Sequence, residues 1–384
     1  MLHGNRLRAG WLAAVITLLP LAAQTAPSPQ SPDNPADKPA DKPAEPDGLP
    51  GPWVVKGLKF SGTVDFYGDI NFNHPESRVN IYRNFDVRAN QFTLNMAKVT
   101  LEMDPAPVGF KLDFGFGRAF DIFNATEPGG PDFMKVLPQA YISLKPPKAG
   151  GLEIDFGKFY TSAGAELTET YLNWNYSRAL AYANGPYYHF GIRTTKPIGI
   201  WTVGAQLVNG WNNVEDNNTG KTVGLTSAIT GKKAMWAVNY YVGPEKTNTN
   251  QGIRNFVDTV LLLTPSDKVN AYVNYDYGHE RLLSGQLADW VAFAVAAKFG
   301  LSEHISFSPR YEYYKDKAGF ITGTQQNLQE FTITGEYKFN KYFFSRLEYR
   351  RDWSDQTPFD RGSNVATYGS QNTVLIGFVA VFGI

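Results

Sequence analysis

The stretch NLQEFTITGEYKFNKYFFSRLEYRRDW, residues 327–353, decides the fold. Phe331, Ile333, Tyr337 and Phe339 fall on one face of its first half, and Glu330, Thr332, Thr334, Glu336 and Lys338 on the other. That is the period-two pattern of a strand with two unlike faces. Only Asn340 and Lys341 separate it from a second run, Tyr342 to Trp353, in which Arg346, Glu348, Arg350 and Asp352 share a face. A connection this short joins the two as an antiparallel hairpin. The final segment, Asn372 to Ile384, repeats the pattern, with Val374, Ile376, Phe378, Ala380 and Phe382 on one face.

A soluble sandwich would alternate too, and the connections separate the two readings. Working back from residue 327, segments of this kind recur to Leu58, among them Met134 to Lys145, Gly199 to Trp211 and Lys221 to Thr230. Tight turns (Pro105 to Pro107, Pro197 and Ile198, Gly231 to Lys233, Pro265 and Ser266, Asn340 and Lys341) follow every second segment, and long polar loops follow the others. Strict alternation of short and long connections is what a barrel with two different rims requires. The pattern predicts an all-β protein, a transmembrane antiparallel β-barrel of about 16 strands with short periplasmic turns, long extracellular loops and both termini periplasmic. A barrel that wide leaves an aqueous lumen instead of filling itself with side chains. Tyr311, Tyr313, Tyr342 and Phe343 are candidates for aromatic rims.

The rest of the chain fits export. Arg6 and Arg8, an apolar run from Ala9 to Ala23 and small residues at Ala22, Ala23 and Ala26 have the layout of a cleaved secretory signal peptide, assigned to residues 1–23. Residues 24–52, rich in Pro, Asp and Lys, have too little apolar surface to offset their chain entropy and are expected to form a disordered periplasmic linker before a barrel at 53–384. No later apolar run reaches the ~20 residues of a membrane-spanning helix. Yet 21 Tyr, 26 Phe and 8 Trp accompany a mean hydropathy of −0.30, the average expected when polar and apolar faces alternate. With no cysteine there is no disulfide frame, thiolate metal site or cysteine nucleophile. Balanced charge, 36 basic against 36 acidic residues, argues against a nucleic-acid partner.

Candidate pore-lining residues follow from strand parity: Asp65, Lys111, Asp113, Glu153, Asp155 and Arg193 in the first half, then Arg310, Glu312, Glu330, Glu336, Lys338, Arg346, Glu348, Arg350 and Asp352. Opposite charges on neighbouring strands can brace the wall as a ladder or set a transverse field that orients solutes. The connection Thr161 to Pro186 carries Glu166, Glu169 and Arg178 among tyrosines and Trp174; it either folds inward as a constriction or caps the rim. Carboxylates outnumber cations in this set, which predicts a weak cation preference, screened as salt is raised.

An enzyme is the rival reading. His74, His189, His279 and His304 are scattered, read as surface or rim residues, and no Gly-x-Ser-x-Gly motif is present. No cofactor and no metal centre are expected, although Asn212 to Asn218 offers oxygen ligands for weak binding of a hard cation. The chain is therefore expected to be a channel for passive diffusion of small hydrophilic solutes and ions, with a substrate-specific channel or a structural or adhesive barrel as alternatives. Its expected surroundings are outer-membrane lipids and lipopolysaccharide, and its partner in biogenesis the barrel-assembly machinery. Barrels of this width form homotrimers or monomers, and no subunit interface is legible.

These residues also carry a resemblance. Gly62-x-x-Asp65-Phe66-Tyr67, Asn71-Phe72-Asn73, Arg83-Asn84-Phe85-Asp86 and Asn90-Gln91-Phe92 resemble the opening of the OmpL-like β-barrel porin family. Gln139-Ala140-Tyr141, Asp155 to Phe159, Asn173 to Arg178, Pro186 to His189 and Asn209-Gly210-Trp211 look like its central motifs, and Arg346 to Asp352 like its penultimate strand. The resemblance implies an outer-membrane barrel and says little about the solute, since fold does not settle function.

Overall fold

The computed structural model describes residues 53–125 and 135–383. The signal peptide and linker assigned to residues 1–52, and Ile384, lie outside the described residues.

Strand order follows the chain: β1 (Trp53–Val55), β2 (Leu58–Asn71), β3 (Phe92–Met103), β4 (Val108–Phe116), β5 (Ala140–Leu144), β6 (Glu153–Tyr160), β7 (Tyr188–Ile198), β8 (Trp201–Val208), β9 (Thr222–Thr230) and β10 (Ala234–Pro244). The second half comprises β11 (Ile253–Ser266), β12 (Val269–Arg281), β13 (Leu287–Gly300), β14 (Ile305–Asp316), β15 (Gln326–Asn340), β16 (Phe343–Ser354) and β19 (Ser370–Phe382), with a small hairpin, β17 (Phe359–Arg361) and β18 (Asn364–Tyr368), in the last loop. Two short helices, α1 (Arg118–Phe123) and α2 (Leu180–Ala183), lie in the loops after β4 and β6.

Each barrel strand pairs antiparallel with the next, and β19 closes on β2 with Phe378 opposite Phe66. The result is a closed 16-strand barrel. Closure leaves no sheet edge in the wall, so every strand amide has a partner without water. β1 extends the sheet at the turn rim, where Trp53 pairs with Phe60 and its ring lies 5.6 Å from that of Phe382. Alternation holds all round: Phe66, Ile142, Phe156, Leu207, Phe331 and Ile376 are exposed on the outside, and the intervening residues point inward.

Two strands are shorter than the alternation suggests. Met134 to Lys145 yields only Ala140–Leu144 as strand, because Pro138 has no N–H for the ladder and the Gln139 side chain turns inward to donate to Asp113 at 3.0 Å. Gly199 to Trp211 ends at Val208, where Asn209 donates its side chain to the Val214 carbonyl and the Trp211 N–H turns to Glu245. The hairpin β17–β18 has no counterpart in the sequence reading. It folds over the mouth, with Asp360 accepting from Ser77 at 2.7 Å and Phe359 fully buried against Tyr82.

Candidate functional site: an inward loop across the lumen

Buried apolar side chains come both from inward-facing strand positions such as Tyr241, Trp290 and Tyr314 and from the loops. Phe85, Phe123, Tyr160, Tyr182, Tyr187 and Tyr188 form one cluster, with Phe123 stacked on Tyr188 at 5.1 Å and on Tyr187 at 5.5 Å. Beneath this lid the connection 161–187 runs inward, so that of the two placements open from the sequence the structure takes the inward one.

Local chemistry shapes that loop. The Asn173 side chain donates to the carbonyls of Leu167 and Glu169 and accepts from the Leu167 N–H. Arg178 donates to the carbonyls of Leu167, Tyr176 and Thr168 and lies 5.3 Å over the Phe85 ring. Two polar side chains thus do for this loop what a sheet ladder does elsewhere, satisfying backbone groups that water cannot reach.

The wall then takes up the loop's remaining polar groups, strand by strand. On β11 and β12, Asp258 and Asn274 accept the N–H groups of Gly164 at 3.0 Å and Ala165 at 3.2 Å. On β14, Arg310 donates to Glu166 at 2.6 Å and to the Ser177 carbonyl at 2.8 Å. Glu312 accepts the N–H groups of Leu180 at 2.5 Å and Ala181 at 3.1 Å, the free donors that begin α2. On β16, Glu348 accepts from Tyr176 N–H at 2.6 Å and Ser177 N–H at 3.0 Å, Arg346 donates to the carbonyls of Thr170, Asn173 and Asn175, and Arg350 to that of Arg178. On β2 and β3, Asp65 accepts from the Tyr176 hydroxyl and from Thr170, while Lys98 pairs with Glu169 and, at 3.1 Å, with Asp113. The loop therefore reaches across the lumen rather than lying along one wall.

This placement corrects the list of pore-lining candidates. Asp65, Asp113, Asp155, Glu166, Glu169, Arg178, Arg310, Glu312, Glu330, Glu336, Arg346, Glu348, Arg350 and Asp352 all lie inside the barrel, and all are buried. Those on strands β14 to β16 do form a ladder, Arg310 donating to Glu330 at 2.8 Å and Arg346 to Glu336 at 2.8 Å, but much of what they hold is loop backbone. Asp155 is neutralised by Arg193 at 2.7 Å. Asp352 is shared by Arg350 and Arg83, the latter from the loop after β2. Only Lys111, Glu153, Arg193 and Lys338 keep appreciable exposure, all in the turn-side half of the lumen.

Further expectations change. His189, read as a surface or rim residue, is fully buried on the inner wall, stacked on Tyr241 at 4.9 Å and hydrogen-bonded to Gly210 O and Thr161 Oγ1. Several oxygens of the segment Asn212 to Asn218 are engaged by the chain itself: Asn212 accepts from the N–H groups of Tyr187 and Tyr188, Asp216 pairs with Lys221, and Asn218 accepts from Gly220. Lys98, Asp258, Asn274 and Tyr176 are the anchors that sequence reading missed; the first three obey the same strand parity that found the others.

A closed barrel, apolar outside and polar inside, with a loop folded across its lumen, defines the class of outer-membrane porins. Residues 57–382 match the family described as "Putative beta-barrel porin-2, OmpL-like", and the chain belongs to that family. It is an outer-membrane porin. Among solved structures it is similar to OmpT of Vibrio cholerae (TM-score 0.58, 12% identity, covering 86% of this chain and 100% of that one). It resembles equally an anion-selective porin from Comamonas acidovorans (TM-score 0.58, 12% identity, 85% and 99% covered). In vitro folded Vibrio cholerae OmpT in a trimer form gives TM-score 0.56 at 12% identity, with 85% and 99% covered. At such identity the likeness is one of fold. No curated protein matches the sequence.

Proposed function

We propose that this porin passes small hydrophilic solutes and ions by passive diffusion, with the loop 161–187 setting the size limit. The observation that carries this reading is the inner face itself. Below the loop it is polar, with Lys59, Glu102, Lys111, Glu153 and Lys338 partly exposed. A substrate-specific channel differs in its response to solute concentration, and a structural or adhesive barrel passes nothing. Liposome swelling with sugars of graded size tests the reading: entry with a size cutoff supports it, saturable entry of a single sugar favours the specific channel, and no entry overturns it.

The same reading places residues 1–23 as a cleaved signal peptide and 24–52 as a periplasmic linker, and takes lipopolysaccharide and the barrel-assembly machinery as the molecules met at the membrane. A homotrimer is the assembly favoured by the trimer form of the Vibrio cholerae protein with the same fold. Chemical cross-linking in native outer membranes, resolved by gel, distinguishes trimer from monomer.

A further inference from the structure

The loop that crosses the lumen has one covered and one uncovered side. Its upper side lies under the aromatic lid. Among the loop residues that keep exposure, Ala165, Leu167, Tyr171, Leu172 and Trp174 form an apolar and aromatic group, the others being Gly164 and Ala183 to Gly185. The Trp174 ring lies tilted against that of Tyr272 with centroids 5.3 Å apart and shares a cluster with Ala294 and Ala296 of β13. Leu172 is 41% exposed.

Next to that cluster the charge is unbalanced. Two residues beyond Ala296 on the same face, Lys298 donates to Glu336 at 3.0 Å. Lys338 lies 3.9 Å from the same carboxylate and Arg346 donates to it at 2.8 Å. Three cations thus converge on one buried carboxylate, whose oxygens are committed to Lys298 and Arg346. Arg346 is buried and occupied by loop carbonyls, whereas the side chains of Lys298 and Lys338 are 21% and 49% exposed. Two lysines with one shared counter-charge, one of them two residues along β13 from the Ala296 that packs with Trp174, match a ligand with an anionic head and an apolar body.

We propose that the turn-side half of the lumen binds small amphiphilic carboxylates, the carboxylate on Lys298 and Lys338 and the apolar body against Trp174. The proposal rests on the pore reading for access and names the solute class it would favour. Two lysines suit a carboxylate because each supplies a charge-assisted hydrogen bond, and the apolar contact adds discrimination that charge alone cannot.

The test uses the full chain in planar bilayers with KCl on both sides and sodium benzoate as probe. Benzoate should reduce the KCl current saturably. Acetate, which has the charge without the ring, and benzyl alcohol, which has the ring without the charge, should do so far less. The double variant Lys298→Gln, Lys338→Gln should raise the half-blocking benzoate concentration about tenfold, which corresponds to about 1.4 kcal/mol. Lys317→Gln, on the loop rim, should leave it unchanged. Equal block by all three probes, no block by any, or indifference to the lysines overturns the proposal while leaving the pore intact. Absence of any KCl current overturns the pore reading instead. The subsite is then read in detergent by benzoate quenching of the fluorescence that Trp174→Phe removes, and no quenching overturns it.

Discussion

Arg310 on β14 donates to Glu166 of the inward loop at 2.6 Å and to Glu330 of the neighbouring strand at 2.8 Å. One guanidinium thus ties the barrel wall to the segment that crosses its lumen. A planar fork of donors can serve both carboxylates at once, which an ammonium cannot do with the same geometry.

Replacing Arg310 with Leu leaves Glu166 buried without its cation and Glu330 with only Arg350 at 3.4 Å; breaking a buried pair in this way typically costs about 3–5 kcal/mol. The Arg310→Leu barrel should unfold at lower guanidinium concentration in detergent, with Arg310→Lys recovering only part of the difference. Stability equal to that of the unaltered chain would mean that the pair does not anchor the loop.

Gly377 on β19 leaves room for Tyr176. A Cβ at this position would stand 2.3 Å from two carbons of the Tyr176 ring, so Gly377→Ala must displace the ring whose hydroxyl donates to Asp65, on a residue whose main-chain N–H donates to Glu348. Overpacking of this kind costs about 1–3 kcal/mol. Unstable, flickering single-channel currents are expected for Gly377→Ala, and adding Tyr176→Ala should relieve the strain of packing. Quiet currents from the single variant would contradict the interlock.

Ion preference should run opposite to the one read from the sequence. The carboxylates of that census other than Glu153 are buried, while Lys298 and Lys338 meet water with one counter-charge between them. Under a KCl gradient the reversal potential should show a weak anion preference. It should fade near 1 M salt, where the Debye length falls to about 3 Å, and move toward zero in Lys298→Gln, Lys338→Gln. A cation preference would mean that the buried carboxylates reach the permeation path.

The barrel was legible because strand alternation and turn length are local, and both act within a few residues of one another. Parity placed Arg310, Glu348 and Asp65 inside correctly for the same reason. What parity does not contain is what fills the inside. Whether an inward carboxylate meets water or a backbone N–H depends on a loop that arrives from more than a hundred residues away, as Glu348 meets Tyr176 and Ser177. Strand parity points Asp258 and Asn274 inward, but nothing in the sequence marks their partners, the main-chain amides of Gly164 and Ala165, since an amide is the same in every residue but proline. His189 was misplaced on similar grounds: its burial comes from Tyr241, which lies on β10, three strands further round the wall.

The central claim is that residues 161–187 cross the lumen and limit passage through it. Single-channel conductance of the full chain, compared with that of a chain lacking residues from Ala165 to Ala183, tests it most directly. The account predicts a severalfold larger conductance for the shortened chain, with a higher size cutoff for sugars in liposomes; equal conductance in the two chains would contradict it.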